Sequence, residues 1–140
     1  MKQMLGYLTL LSIVCLLSLA FTWQSPADLK ASMARGKSLY GVYCQSCHGD
    51  QGQGVESVFP PLAKSDYLMA DKKRAIQTIL YGISGEIKVN GQTYNQPMAG
   101  FDGKDEEISD ILNYIRNSFG NKGGAIGPEE INTARKPAGK

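Results

Sequence analysis

Between Met4 and Trp23 the chain runs almost without polar interruption, and from Asp28 onward it changes to short amphipathic stretches separated by glycine, proline and asparagine. Ser25-Pro26-Ala27-Asp28 reads as a helix start, with Ser25 as N-cap, Pro26 at the first helical position and Asp28 in the first turn. Leu29, Met33, Gly36, Leu39 and Tyr40 then recur near helical spacing, which predicts a helix to about Val42, with Gly36 leaving room for another helix. Gly49-Asp50-Gln51-Gly52-Gln53-Gly54 is too glycine-rich for a helix or strand and predicts a loop. Asp71 is placed to cap a helix from about Lys72 to Tyr81, with Ala75, Ile76, Ile79 and Leu80 inward, Gly82 ending it, and Lys72-Lys73-Arg74 as a solvated face. From Ile87 to Tyr94 the alternation around Asn90-Gly91 predicts a β-hairpin with a type I′ turn. A last helix is expected from about Asp105 to Phe119: three acidic residues crowd its start, Ile108, Ile111, Leu112, Ile115 and Phe119 form one stripe, and Gly120 stops it. The pattern is that of an all-α domain with a minor hairpin.

The two ends differ from this middle. Lys2 precedes an apolar run from Leu5 to Phe21, and Ser18-Leu19-Ala20 offers small residues for a signal peptidase. The same stretch is long enough to span a bilayer, with Trp23 suited to the interface, so cleaved signal and retained anchor both fit residues 1–24. Either assigns the remaining chain to the outside of the inner membrane. Cys15 is read as an apolar leader residue, because Ser12-Ile13-Val14 resembles a lipid-attachment signal poorly. Residues 25–120 form the expected domain, and 121–140, glycine-rich and polar with at most a short helix from Pro128, read as a surface tail.

Composition narrows the class. With 140 residues there is room for one compact domain. A small domain with 16 glycines and 6 prolines benefits from a large buried group as an internal prop. The formal charge of +2 falls to +1 without Lys2, and nothing in that balance points to nucleic acid.

The chemistry is concentrated in Cys44-Gln45-Ser46-Cys47-His48, a C-x-x-C-H sequence between a helix and the glycine loop. Two thiols three positions apart can each form a thioether with a haem vinyl group, while the adjacent imidazole reaches the iron from one face. A structural zinc site is one ligand short, because Cys15 is in the leader and His48 is the sole histidine. A thioredoxin-like site would need alternating strands and helices, and a Cys44–Cys47 disulfide is a further alternative. Export of the chain agrees with covalent haem c, one per chain, held by Cys44 and Cys47 with His48 as axial ligand.

With no second histidine, a methionine thioether is the usual sixth ligand. Of five methionines, Met1 and Met4 lie in the leader, Met33 packs in the first helix and Met69 reads as apolar filler. Met98 stands apart in the irregular stretch Gln96-Pro97-Met98-Ala99-Gly100-Phe101, where no helical or strand period calls for a core methionine. Met98 is therefore the expected second axial ligand.

On these residues the stretch from about Asp28 to Phe119 resembles a class I cytochrome c. The resemblance rests on the haem motif, on Pro60-Pro61-Leu62 twelve residues after His48, on the Met98 loop, and on Gly36 and Tyr40 facing the Ile111 to Tyr114 turn. It implies a small helical fold around the haem, a Pro60 carbonyl that accepts a hydrogen bond from the His48 ring, and a Leu62 that packs on the haem. More narrowly, Phe59-Pro60-Pro61-Leu62-Ala63, Val89-Asn90-Gly91 and Ile115-Arg116-Asn117-Ser118-Phe119 are similar to cytochrome domains accompanying copper nitrite reductases and membrane-bound sugar or alcohol dehydrogenases.

The expected activity is outer-sphere electron transfer in a periplasmic or membrane-tethered chain, with donor and acceptor proteins as partners and no catalytic turnover of its own. Lys64, Lys88 and Lys104 are read as ordinary solvated charges near the docking face. An enzyme or gas sensor with an open iron position is the competing class, and for its distal polar group the sequence offers Tyr94, Gln96 or Arg74. A structural subunit of a larger respiratory complex would carry the same haem and differ in permanent partnership.

Overall fold

The computed structural model describes residues 26–135, so the leader or anchor expected at 1–24 and the last five residues lie outside the described residues. The elements in chain order are α1 (Pro26–Tyr43), α2 (Gln45–His48), α3 (Asp66–Ala70), α4 (Lys72–Tyr81), β1 (Gly82–Ile83), β2 (Ile87–Val89), β3 (Gln92–Tyr94), β4 (Met98–Ala99), α5 (Asp105–Arg116) and α6 (Pro128–Arg135).

The frame is the crossing of α1 and α5. At Gly36 the helices come so close that a Cβ would collide with the Asp110 carbonyl and lie 2.9 Å from the Tyr114 Cβ. One turn on, the Tyr40 ring is 2 % exposed and packs against Tyr114 and Phe119, each with ring centroids 5.4 Å away. Polar groups lock the same crossing. The buried Asp110 carboxylate accepts from Ser32 Oγ at 2.6 Å and from Arg35 Nε and Nη2 at 2.6 and 2.8 Å. Hydrogen bonds to a charged acceptor are stronger than neutral ones, and these oppose sliding of the two helices.

Helix α4 completes the core with the four residues that its period marks, Ala75, Ile76, Ile79 and Leu80, all buried. Its N-cap is Asp71, whose side chain accepts from Arg74 N at 3.1 Å. In the hairpin, β2 pairs with β3 as Ile87↔Tyr94, Lys88↔Thr93 and Val89↔Gln92, and Asn90 and Gly91 take φ of 50° and 82°, as a type I′ turn requires. Asn90 also ties the turn to α3, exchanging hydrogen bonds with Asp66 at 3.0 and 2.7 Å.

Three expectations are corrected. Helix α5 ends at Arg116, not Phe119, because side-chain amides intercept its last carbonyls: Asn117 Nδ2 donates to Asn113 O at 3.0 Å and Asn121 Nδ2 to Ile115 O at 2.8 Å. Phe119 then sits outside the helix with φ 56° and still delivers its ring to the core. Arg74 is not part of a solvated face: its guanidinium lies 4.0 Å from the centroid of the Tyr67 ring and donates to the Tyr67 carbonyl at 2.6 Å.

The third correction concerns the polar tail, whose described part is not a surface appendage. Ile126 and Ile131 are both 0 % exposed within the core, and the buried Asn113 amide bonds both backbone groups of Ile126, at 2.8 and 2.9 Å. Helix α6 is further pinned by Lys72–Glu130, by Arg135 to Asp105 at 2.7 Å and to the Gly103 carbonyl, and by Tyr81 Oη donating to Ala134 O at 3.1 Å. Two apolar side chains in a polar stretch suffice to seat it, a signal too sparse for a periodicity argument.

Truncation of Ile131 to Ala should destabilise the haem-loaded protein by about 2–5 kcal/mol in a urea titration, the range for emptying a core site. An exposed tail would register almost no change. A second expectation concerns acid. The Asp105 carboxyl is held below the usual carboxylate range, first by the hydrogen bond from Arg135 and then by that from Asn132. A carboxylate whose pKa is lowered by folding stabilises fully above its unfolded value, and that contribution is lost as the pH falls through its folded value. Asp105→Asn should thus be less stable than the wild type at pH 7, with the gap narrowing below about pH 4.

Candidate functional site

The end of α1 runs directly into the site. Cys44 N still bonds Tyr40 O at 2.9 Å, and the single turn of α2 follows, with Cys47 N and His48 N both bonded to Cys44 O at 3.2 and 3.0 Å. One turn of helix brings residues three and four apart onto the same side, so the Cys44 and Cys47 thiols and the His48 ring share a face. Both thiols are free and half-buried. Burial, with a smaller contribution from neighbouring Cys47, pushes the Cys44 thiol up to about 11.

His48 is the best-positioned of the three. Its Nδ1 lies 2.9 Å from the Pro60 carbonyl oxygen. A carbonyl can only accept, so Nδ1 carries the proton and the lone pair stands on Nε2. Burial holds the ring below the usual histidine pKa, and the Pro60 bond opposes that shift without cancelling it. The ring is therefore neutral and oriented, with no group among the described residues hydrogen-bonded to its Nε2.

The glycine loop is bonded back to this histidine and to its neighbours. Tyr40 Oη donates to Gly49 O at 2.5 Å, Gly54 N bonds His48 O at 2.8 Å, and Gly52 O accepts from both Leu62 N and Ala63 N at 2.8 Å. Leu62 is half-buried against the core, and its carbonyl accepts from Asn121 Nδ2 at 2.8 Å.

Met98 belongs to a separate segment of the domain. It lies in β4 instead of an irregular loop, paired antiparallel with Ile83 of β1 while Ala99 pairs with Gly82. Phe101 N bonds Ile79 O at 2.8 Å, and the Phe101 ring packs on Tyr43, with centroids 4.8 Å apart. The segment carrying Met98 is thus in contact with the residue just before Cys44. Val42 (72 % exposed) and Tyr43 flank the motif as surface apolar groups, together with Val55 and Val58 on the following loop. Of the polar candidates for an open iron position, Arg74 is committed to Tyr67, Tyr94 is buried on the hairpin and Gln96 is exposed. Lys64, Lys88 and Lys104 are exposed. The cleft of about 540 Å³ between Asp102–Glu106 and α6 lies at the far end of α5 and includes none of the thiol or imidazole groups.

Residues 33–119 match the family model for cytochrome c. The chain belongs to the cytochrome c family. It is 39 % identical over 97 residues to cytochrome c-552 of Thermus thermophilus, across 66 % of this chain and 65 % of that protein. Against the cbb3-type cytochrome c oxidase subunit FixP of Bradyrhizobium diazoefficiens it is 37 % identical over 110 residues, covering 74 % of this chain and 36 % of FixP. The cytochrome c subunit of the quinone alcohol dehydrogenase of Gluconobacter oxydans is 28 % identical over 104 residues, 71 % of this chain and 22 % of that subunit. The chain thus spans about two thirds of the first of these relatives, a little over a third of the second and less than a quarter of the last. The cofactor of this cytochrome is covalently bound haem c, and the two free thiols beside an imidazole with an unengaged Nε2 are a donor set that fits it.

Sequence reading missed several contacts that build the surroundings of the motif and the Met98 segment: the Tyr40 hydroxyl on Gly49, the Phe101–Tyr43 stack, Asn121 on Leu62, and the β1–β4 pair. Each joins residues distant in the chain or too few to show a period.

Proposed function

We propose that this cytochrome is a one-electron carrier in an extracytoplasmic or membrane-associated redox chain, with no catalytic turnover of its own. The observation that carries this reading is the neutral His48 ring fixed on the Pro60 carbonyl within one helical turn of two free thiols. Haem c, when bound, supplies a one-electron Fe(III)/Fe(II) couple. Cys44 and Cys47 would hold the group covalently and His48 would give its Nε2 to the iron, while Pro60 keeps the ring in one tautomer and orientation. Leu62 would pack against the macrocycle. Met98 would supply the thioether ligand, its backbone restrained by Ile83 and by the Phe101 stack. With both His48 and Met98 engaged, the protein would leave no coordination position for a substrate, and restrained ligands would keep the reorganisation on electron transfer small.

Residues 1–24 serve as the export signal or anchor that places the domain outside the cytoplasm, and the cytochrome domain runs from residue 25 through the core-packed helix α6. Among the described residues no helix is long and apolar enough to cross a membrane. The relatives include subunits of an oxidase and of a quinone dehydrogenase, which supports transient docking to larger redox complexes as donor or acceptor.

The test is an optical spectrum of protein matured with haem, oxidised and then reduced. A low-spin spectrum with the weak far-red band of methionine sulfur on ferric iron is expected, and Met98→Ala should lose that band. A high-spin wild-type spectrum would overturn Met98 as a ligand and favour a catalytic or sensing role. Absence of haem surviving denaturation would overturn the assignment of Cys44 and Cys47.

A further inference from the structure

Gly54 stands where two backbone segments meet. Its N–H bonds the carbonyl of His48 at 2.8 Å, so it is tied to the ligand residue itself. Its Cα faces the segment that holds the ligand ring: a Cβ built on Gly54 would lie 2.8 Å from the Pro60 carbonyl carbon, 2.9 Å from the Pro60 oxygen, and closer still to the Phe59 oxygen. That Pro60 oxygen is the one 2.9 Å from His48 Nδ1. Just beyond, Val55 and Phe59 exchange backbone hydrogen bonds at 2.9 and 2.8 Å, an isolated bridge that closes the small loop between Gly54 and Pro60. The loop closes this tightly because Gly54 has φ 68° and no side chain.

We propose that Gly54 is a positioning residue for the His48 ligand: by letting the loop close against it, it sets the distance from the Pro60 carbonyl to His48 Nδ1 and thereby the electron donation of the imidazole. The inference rests on the proposed haem ligation by His48. A hydrogen bond at Nδ1 makes an imidazole a more basic ligand. A more basic ligand favours the ferric state. A side chain at position 54 would press on the Phe59 oxygen and on the Pro60 carbonyl together, displacing the segment that holds the ring, lengthening this bond and shifting the balance towards the ferrous state.

Gly91 is the internal comparison. It too has positive φ, 82°, yet a Cβ there meets nothing within 4 Å, so Gly91→Ala imposes backbone strain without pushing on any ligand. The experiment compares haem-loaded wild type, Gly54→Ala, Gly54→Asn and Gly91→Ala, the asparagine variant included because asparagine tolerates positive φ and isolates the steric effect. Midpoint potential and the proton NMR resonance of the His48 Nδ1–H in the reduced protein are read in each. The expected result is an upward shift in potential and faster solvent exchange of that proton in both Gly54 variants, with Gly91→Ala matching the wild type in both readouts even if it melts earlier. Unchanged potential and exchange in the Gly54 variants would overturn the proposal, as would an equal shift in Gly91→Ala. Failure of both Gly54 variants to load haem while Gly91→Ala loads would also overturn it, making Gly54 a folding residue. If the wild type itself shows no His48 ligation, the failure lies with the haem assignment and the positioning role falls with it.

Discussion

Two helices can approach only as far as their side chains allow, and at Gly36 there is none, so the backbone of α1 rests on the Asp110 carbonyl of α5. Much else follows from that contact. It places Tyr40 one turn further along, where its ring fills the space against Tyr114 and Phe119 and its hydroxyl reaches Gly49. Because α1 continues without a break into Cys44, the direction of α1 sets the direction in which the cysteines and His48 emerge. The crossing is thus the reference against which the site is aimed, and the Ser32–Asp110–Arg35 hydrogen bonds keep it from sliding.

Around this frame the site is assembled from loops whose backbone groups are accounted for one by one. The glycine loop has no apolar side chain to bury, and it is held through carbonyls and amides: Gly49 O by Tyr40, Gly52 O by Leu62 and Ala63, Gly54 N by His48. Buried backbone groups that lack partners are costly, and here the partners come from the residues that flank the ligand. A loop wired in this way behaves as a rigid collar despite its composition. The Met98 segment is restrained by a different device, a two-residue pairing with β1 and an aromatic stack on Tyr43.

The described part of the C-terminal stretch shows how few residues suffice to extend a core. Ile126 and Ile131 fill it, and the Asn113 amide satisfies both backbone groups of Ile126 while donating to Ser32 as well. One buried asparagine thereby joins α1, α5 and the residues beyond the family match. Arg135, at the end of α6, then bonds Asp105 and Gly103, where the chain passes from the Met98 segment into α5.

By itself the sequence determined the helices with a strong period and a cap, the Asn90-Gly91 hairpin, and, through the Cys44-Gln45-Ser46-Cys47-His48 motif, the haem c cofactor, because these depend on residues close together in the chain. Gly36 could be read as a point of close approach for the same reason: a lone glycine in a helical stripe has few other uses. Only the tertiary structure decided which carbonyls and amides meet across the fold. The Phe119 ring enters the core from outside its helix, Met98 lies in a strand pair, Arg74 stacks on Tyr67, and Ile126 and Ile131 of the C-terminal stretch enter the interior. None of these has a local signature, since each turns on a backbone hydrogen bond, a side-chain amide or a single buried isoleucine whose partner lies far along the chain.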